Sequence, residues 1–103
     1  ISGSRRPSSM FASAAARFCA INLLAQAKAA LGGDLSRLTR CVRLGGFINA
    51  VPTYAGLAPI MNGASDLMVE AMGEAGRHGR STIGFAEMPL DCAVEVEAMF
   101  EIA

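Results

Sequence analysis

The chain has 103 residues and a mass of 10.7 kDa, which allows one hydrophobic core and predicts a single domain. Apolar residues make up 52% and charged residues 17%, a composition that excludes intrinsic disorder. Nine basic residues balance nine acidic ones, so the net charge favours neither nucleic acid nor a membrane as a partner.

The first predicted helix runs from about Ser9 to Leu31 and ends at the glycine pair 32–33. Polar side chains inside it, such as Arg17 and Lys28, argue against a membrane span. The apolar residues on one side are Phe11, Ala14, Ala15, Phe18, Ile21 and Ala25. Further apolar residues widen this stripe, so we expect the helix to be covered on more than one side.

A strand is predicted over Leu38 to Ala50, and the paired glycines Gly45-Gly46 inside it indicate a bulge or a close backbone approach. After an irregular loop at Pro52 to Pro59, a second helix is expected from about Asn62 to Ala75. Its apolar face is Leu67, Met68, Ala71, Met72 and Ala75.

Two strands are predicted at the C-terminal end, over Arg80 to Glu87 and Ala93 to Ile102, with a turn at Met88 to Cys92. The chain order therefore predicts an α+β fold with the helices on one face of the sheet. Alternation in the last strand puts three glutamates and a methionine on the other face. That face is either exposed to water or covered by another subunit.

Charge is divided unevenly along the chain. Residues 1–52 carry a net charge of +6 and residues 53–103 a net charge of −6. A dipolar surface could steer an anion, but the preferred interpretation is that the two halves neutralise each other on folding or across a subunit contact.

The cysteines are Cys19, Cys41 and Cys92, an odd number with no CxxC spacing and no histidine pair nearby. We therefore expect no metal site, no cofactor and no disulfide framework, which suits a reducing, cytoplasmic location. The single histidine, His78, is predicted to be a solvated or capping side chain rather than a catalytic one.

The most specific motif is GRSTIGFAEMP at 79–89, followed by AVEVEA at 93–98. It resembles the C-terminal signature of the RidA/YjgF family, the reactive intermediate deaminases also known as L-PSP endoribonucleases. The first helix, NGASDL at 62–67 and GEAGRH at 73–78 resemble the chorismate-mutase-like branch of that family. The resemblance covers about residues 9–103.

The resemblance implies a mixed sheet backed by two helices, in the order (β)-α-β-α-β-β, and a homotrimer with clefts between neighbouring subunits. The chain is interpreted as one such domain, 1–103, without the family's usual first strand. Residues 1–9 are expected to be irregular or the remnant of a strand.

The family's substrates are 2-imino acids, which carry a carboxylate beside a C=N bond. Arg80 is expected to grip the carboxylate bidentately. Glu95, predicted to lie across a hairpin from Arg80, would hold or deprotonate the attacking water. Backbone groups near Ser2, Gly3 and Thr82 would complete the site, and many family members have a cysteine where this chain has Thr82.

Three functions remain open from the sequence. The first is hydrolytic deamination of imine or enamine intermediates, and the second is a non-catalytic trimer that binds small carboxylates. The third, endoribonuclease activity, has no support from the neutral charge or the few aromatic residues. For Arg80 itself, the alternative to anion binding is a structural ion pair with Glu95 or Glu97.

Overall fold

The structure, a computed structural model, describes residues 9–50, 56–85 and 93–103. Its helices are α1 (Ser9–Ala30) and α2 (Leu57–Met72), and its strands are β1 (Leu38–Asn49), β2 (Gly79–Phe85) and β3 (Val94–Ile102). Short 3₁₀ turns at Leu35–Arg37 and Gly73–Gly76 precede β1 and follow α2. The predicted order of helices and strands is confirmed for these ranges.

The three described strands form one mixed sheet in the order β2-β1-β3. β1 runs parallel to β2, with Leu44 opposite Arg80, and antiparallel to β3, with Phe47 opposite Glu95. A parallel pair needs a crossover connection, and α2 supplies it between β1 and β2. Both helices pack on the same face of the sheet, so the predicted α+β architecture is confirmed.

The core lies between α2 and the central strand. Leu44 and Ile48 of β1 are fully buried, and so are Met61 and Met68 of α2. Burying a large apolar side chain stabilises a fold by roughly 1.5–3 kcal/mol, so this layer provides much of the driving force. Met68 fills the core, as its place on the predicted apolar face indicates, and Met61, outside the predicted helix, does the same.

Of the six residues named as the apolar side of α1, only Ala15 packs against the core of a single chain. Phe11 and Phe18 are each 68% exposed, whereas the fully buried residues of α1 are Ala12, Ala16 and Ala20. The helix lies close against α2, where a Cβ on Gly63 would collide with the backbone oxygen of Ser13. Only small side chains fit at such a close crossing, and the larger ones face outward.

Two local predictions are corrected or refined by the structure. The helix α2 begins at Leu57 rather than Asn62, because Pro59 lies in its first turn, where no intrahelical N–H donor is needed. At the glycine pair in β1, neighbouring side chains approach the backbone closely. A Cβ on Gly45 would meet the side chain of Glu97, and one on Gly46 would meet the side chain of Met61. The irregular registers of β1 lie elsewhere, before Arg43.

The opposite charges of the two halves meet on the surface. Within the described ranges, Arg17 pairs with Glu70, Arg40 with Glu101 and Arg43 with Glu97. Each pair joins a base of residues 1–52 to an acid of residues 53–103 and is exposed, so each contributes little to stability. Neither described helix is long and apolar enough to cross a membrane.

Candidate functional site

Arg80 and Glu95 do not lie on neighbouring strands, so the predicted hairpin between them is wrong. Arg80 is on β2 and Glu95 is on β3, and the central strand β1 lies between them. Two strand spacings amount to roughly 10 Å. The two strands do not pair because the crossover through α2 places β2 along one edge of β1, while β3 lies along the opposite edge of β1.

The two side chains also lie on opposite faces of the sheet. Arg80 is in register with Leu44, which is buried under the helices, whereas Glu95 is in register with Phe47 on the other face. Successive residues of a strand alternate between faces, so this register decides the direction of each side chain. A cleft shared by Arg80 and Glu95 within one chain is therefore excluded.

Thr82 follows Arg80 on the helix-facing side of β2, in register with Gly46, and is half-buried. The structure thus brings Thr82 and Arg80 to the same side of one edge strand. Ser2 and Gly3 lie outside the described residues.

The guanidinium of Arg80 is held by α2. Its Nη1 donates to Ser65 Oγ at 3.0 Å, and its Nη2 donates to the carbonyl oxygen of Ala58 at 3.2 Å. Both acceptors are neutral, so they orient the cation without neutralising its charge. Ser65 lies in the middle of α2 and Ala58 in its first turn, and together they bind two ends of the planar guanidinium.

His78 completes this cluster from the segment just before β2. Its Nε2 lies 2.8 Å from Ser65 Oγ, and its Nδ1 lies 2.5 Å from the carbonyl oxygen of Gly76. Gly76 is the last residue of the 3₁₀ turn, so the capping interpretation of His78 is confirmed. Sequence reasoning missed Ser65, and its signal was a serine at mid-helix beside the buried positions Ala64 and Met68.

Arg80 forms no ion pair with a carboxylate in the ranges that the structure describes. Glu97 pairs instead with Arg43, at 3.5 Å, and Glu95 faces the opposite side of the sheet. The alternative of a structural ion pair between Arg80 and either glutamate is therefore excluded within one chain. Of the five N–H groups of a guanidinium, the two bound to α2 leave the others available to a ligand.

The open face of the sheet has a mixed character. Glu95 and Glu97 share it with apolar side chains, among which Met99 is 60% exposed and Ile83 48% exposed. The rings of Phe47 and Phe85 contact each other with centroids 5.9 Å apart. This surface offers carboxylates and apolar area, but Arg80 is on the other side.

No group of three metal-ligating side chains occurs in the described part of the chain. Cys41 is a free thiol there. Cys41 is buried in the core, and this burial raises the pKa of its thiol. A thiol held in its neutral form is a poor nucleophile and a poor metal ligand.

Comparison with known proteins decides the family. Residues 8–102 match the family described as "YjgF/chorismate_mutase-like, putative endoribonuclease". The chain belongs to this family. The resemblance inferred from the C-terminal motif and the first helix is thereby confirmed, and the YjgF-type fold agrees with the described sheet and helices.

Relatives of this YjgF family member are longer than the chain. The chain is 46% identical over 90 residues to "Protein TCP17" of Trypanosoma cruzi, a match that covers 86% of this chain and 56% of the relative. The structure of the Agrobacterium tumefaciens protein Atu1372, of unknown function, superposes with a TM-score of 0.91 at 43% identity, covering 94% of this chain and 62% of that protein.

A "putative endoribonuclease" from Shewanella oneidensis gives a TM-score of 0.88 at 35% identity, over 93% of this chain and 63% of that one. The chain therefore spans between about half and two thirds of the length of these relatives.

Proposed function

We propose that the chain binds small carboxylate anions through Arg80 and, in its assembled form, hydrolytically deaminates 2-imino acids. The observation that carries this proposal is the state of Arg80. Its guanidinium is oriented by two neutral acceptors of α2 and is paired with no carboxylate of the described residues. A fixed, uncompensated guanidinium fits the two oxygens of a carboxylate.

The reaction follows from how a 2-imino acid would sit there. Two N–H groups of Arg80 hold the carboxylate, which fixes the adjacent C=N carbon against a positioned water. The water oxygen forms a bond to that carbon, the π bond of C=N breaks, and the nitrogen takes up the proton that the water loses, giving a carbinolamine. Loss of ammonia from this intermediate leaves a 2-oxo acid, so the net reaction consumes one water and needs no cofactor.

Glu95 is the proposed partner that holds the water, and it must come from a second copy of the chain. Within one chain it lies on the opposite face and two strands away from Arg80. In the described sheet, Arg80 and Glu95 belong to the two edge strands. Edge strands are accessible to a neighbouring subunit, which supports a site between subunits of the proposed homotrimer.

Non-catalytic carboxylate binding is the second candidate, and the separation of Arg80 from Glu95 favours it. A single chain provides the anion-binding cation without the proposed proton acceptor. The endoribonuclease function has only the printed names of the family and of the Shewanella oneidensis protein in its favour. No feature of the described residues supports it.

The test measures ammonia release from a 2-imino acid that a PLP-dependent threonine dehydratase generates in situ. Arg80→Ala should remove the acceleration. Arg80→Lys should also impair it, because an ammonium cannot form two parallel hydrogen bonds. The expected loss is roughly 30- to 1000-fold, the size of a charge-assisted bidentate contact. Arg77→Ala is the matched control, because Arg77 is exposed and already paired with Glu74.

Mixing experiments test the role of a second copy. Arg80→Ala and Glu95→Ala should each be inactive alone, and mixed trimers of the two variants should regain part of the activity. An Arg80→Ala variant as active as the native chain would refute the deaminase proposal. Pyruvate binding that depends on Arg80, with no ammonia release by the native chain, would leave the non-catalytic function.

A further inference from the structure

The cluster of Ser65, His78 and Arg80 contains more than the anion-binding cation, and the ammonia reaction leaves its other two members without a role. The three residues come from mid-α2, from the segment before β2 and from the start of β2. We propose that Ser65 and His78 are positioning residues that fix the guanidinium of Arg80 for a two-oxygen carboxylate. This inference rests on the proposed function, in that Arg80 is taken to be the anion-binding group.

The hydrogen-bond partners determine where each proton lies. A guanidinium only donates, so Ser65 Oγ accepts from Arg80 and its own hydrogen is free to point to His78. In a neutral imidazole one ring nitrogen donates and the other accepts, so Nε2 of His78 accepts from this hydroxyl when Nδ1 carries the proton. The carbonyl oxygen of Gly76 only accepts, so Nδ1 of His78 carries the proton.

With a neutral imidazole, one arrangement satisfies every atom of the cluster. Arg80 donates to Ser65, Ser65 donates to a neutral His78, and His78 donates to the carbonyl oxygen of Gly76. The chain of donors ends on a backbone atom whose position is set by the close packing of Gly76 against α2. The guanidinium is thus tied at one end to a rigid part of the fold, through two side chains.

Orientation matters because Arg80 is a long side chain that would otherwise lose conformational freedom when it binds an anion. With Nη1 bound to Ser65 and Nη2 bound to Ala58, the plane of the guanidinium is set before the ligand arrives. A planar carboxylate benefits from this, since its two oxygens need two N–H groups in one plane. Removal of the Ser65 hydroxyl releases Nη1 and leaves Nε2 of His78 without its donor.

The first experiment reads the histidine directly by NMR. His78 is the only histidine of the chain, so its ring nitrogens are identified without ambiguity. Long-range ¹H–¹⁵N spectra of the native protein should show the Nδ1–H tautomer, and addition of pyruvate should shift the Nε2 signal. Ser65→Ala should also shift Nε2, whereas Ser81→Ala should not, because Ser81 lies on the opposite face of β2. An Nε2–H tautomer in the native protein would overturn the proposal.

The second experiment measures pyruvate affinity by calorimetry. Ser65→Ala should weaken binding roughly 10- to 150-fold, the size of one hydrogen bond to a charged group. Ser65→Thr, which keeps the hydroxyl, should recover most of the affinity. In the ammonia assay the Ser65→Ala change should appear mainly in KM, because the carboxylate is held in the ground state as well. Circular dichroism and the unfolding midpoint establish that each variant is folded.

The outcomes separate this inference from the function on which it rests. Native affinity in Ser65→Ala, with binding lost in Arg80→Ala, would overturn the positioning role and leave the proposed function intact. Absence of pyruvate binding by the native chain would overturn both. Weakened binding in Ser65→Ala without recovery in Ser65→Thr would also contradict the inference, because it would indicate a packing effect rather than a hydroxyl contact.

Discussion

The two helices cover the same face of the sheet but use their apolar residues in opposite ways. The helix α2 buries its large side chains, Ile60, Met61 and Met68, against β1. The helix α1 buries alanines, whereas its phenylalanines Phe11 and Phe18 are exposed. The helical spacing of apolar residues thus identifies both segments as helices, but side-chain size at the crossing decides which face of each helix is buried.

The helices also differ in their relation to the candidate site. Two positions of α2, Ala58 and Ser65, bind the guanidinium of Arg80. The described contacts of α1 instead run to α2 and to β3, the edge strand on the other side of β1. A change in α2 should therefore affect both stability and the cluster around Arg80, whereas a change in α1 should leave that cluster unchanged.

The largest effect is expected from truncation in the buried layer of α2. Met68→Ala removes a fully buried side chain, and the lost contacts and the remaining cavity should lower the free energy of unfolding by about 2–5 kcal/mol. Phe18→Ala removes a larger group from α1, but it should change the free energy of unfolding by less than about 1 kcal/mol, because Phe18 is 68% exposed. Urea denaturation followed by circular dichroism measures both.

Equal losses of unfolding free energy in Met68→Ala and Phe18→Ala would contradict this difference between the two helices. A large loss in Phe18→Ala would mean that the exposed side of α1 is covered in solution. Sedimentation of the native chain and of Phe18→Ala would then distinguish a subunit contact from a contact within one chain.

A smaller effect is expected where the two helices cross. Gly63→Ala places a Cβ against the backbone oxygen of Ser13, so α1 and α2 must move apart and the free energy of unfolding should fall by about 1–3 kcal/mol. Gly79→Ala is the matched control, since nothing lies within 4 Å of the Cβ that it adds. Thermal unfolding of the two variants compares them, and an unchanged midpoint in Gly63→Ala would show that the crossing is looser than described.

The smallest effect concerns the ion pair that joins the helices on the surface, Arg17 Nη2 to Glu70 Oε2 at 2.9 Å. The hydrogen bond from Arg17, and then its charge, lower the pKa of Glu70 below its usual value. A carboxyl group whose pKa is lowered on folding stabilises the fold above its unfolded pKa. That contribution disappears as the pH falls through the lowered value.

Glu70→Gln should therefore lower the unfolding temperature slightly at neutral pH, and the difference from the native chain should vanish in acid. High salt should also reduce this difference in unfolding temperature, because both side chains are exposed. Glu74→Gln is the control, because it removes an ion pair that is local in the chain and does not join the two helices: Glu74 pairs with Arg77, three residues away. A difference that persists at low pH would mean that Glu70 acts through packing rather than charge.

Much of the fold could be predicted because it depends on local patterns. Alternation in 94–102 predicted β3, the glycines at 32–33 predicted the end of α1, and the C-terminal motif identified the family. The start of α2 was placed too late, because Pro59 is compatible with a first helical turn as well as with a loop. Arg80 was singled out from the motif, but its partner Ser65 was not.

By itself, the sequence determined the helices and strands, their order and the family, since periodicity, glycine positions and a contiguous motif are properties of short segments. Only the tertiary structure decided that β1 separates Arg80 from Glu95 and that α2 brings Ser65 to Arg80. Strand order depends on the path of the crossover, and the side of a helix that is buried depends on how closely another helix approaches. Both are set by packing between segments distant in the chain, which no local pattern records.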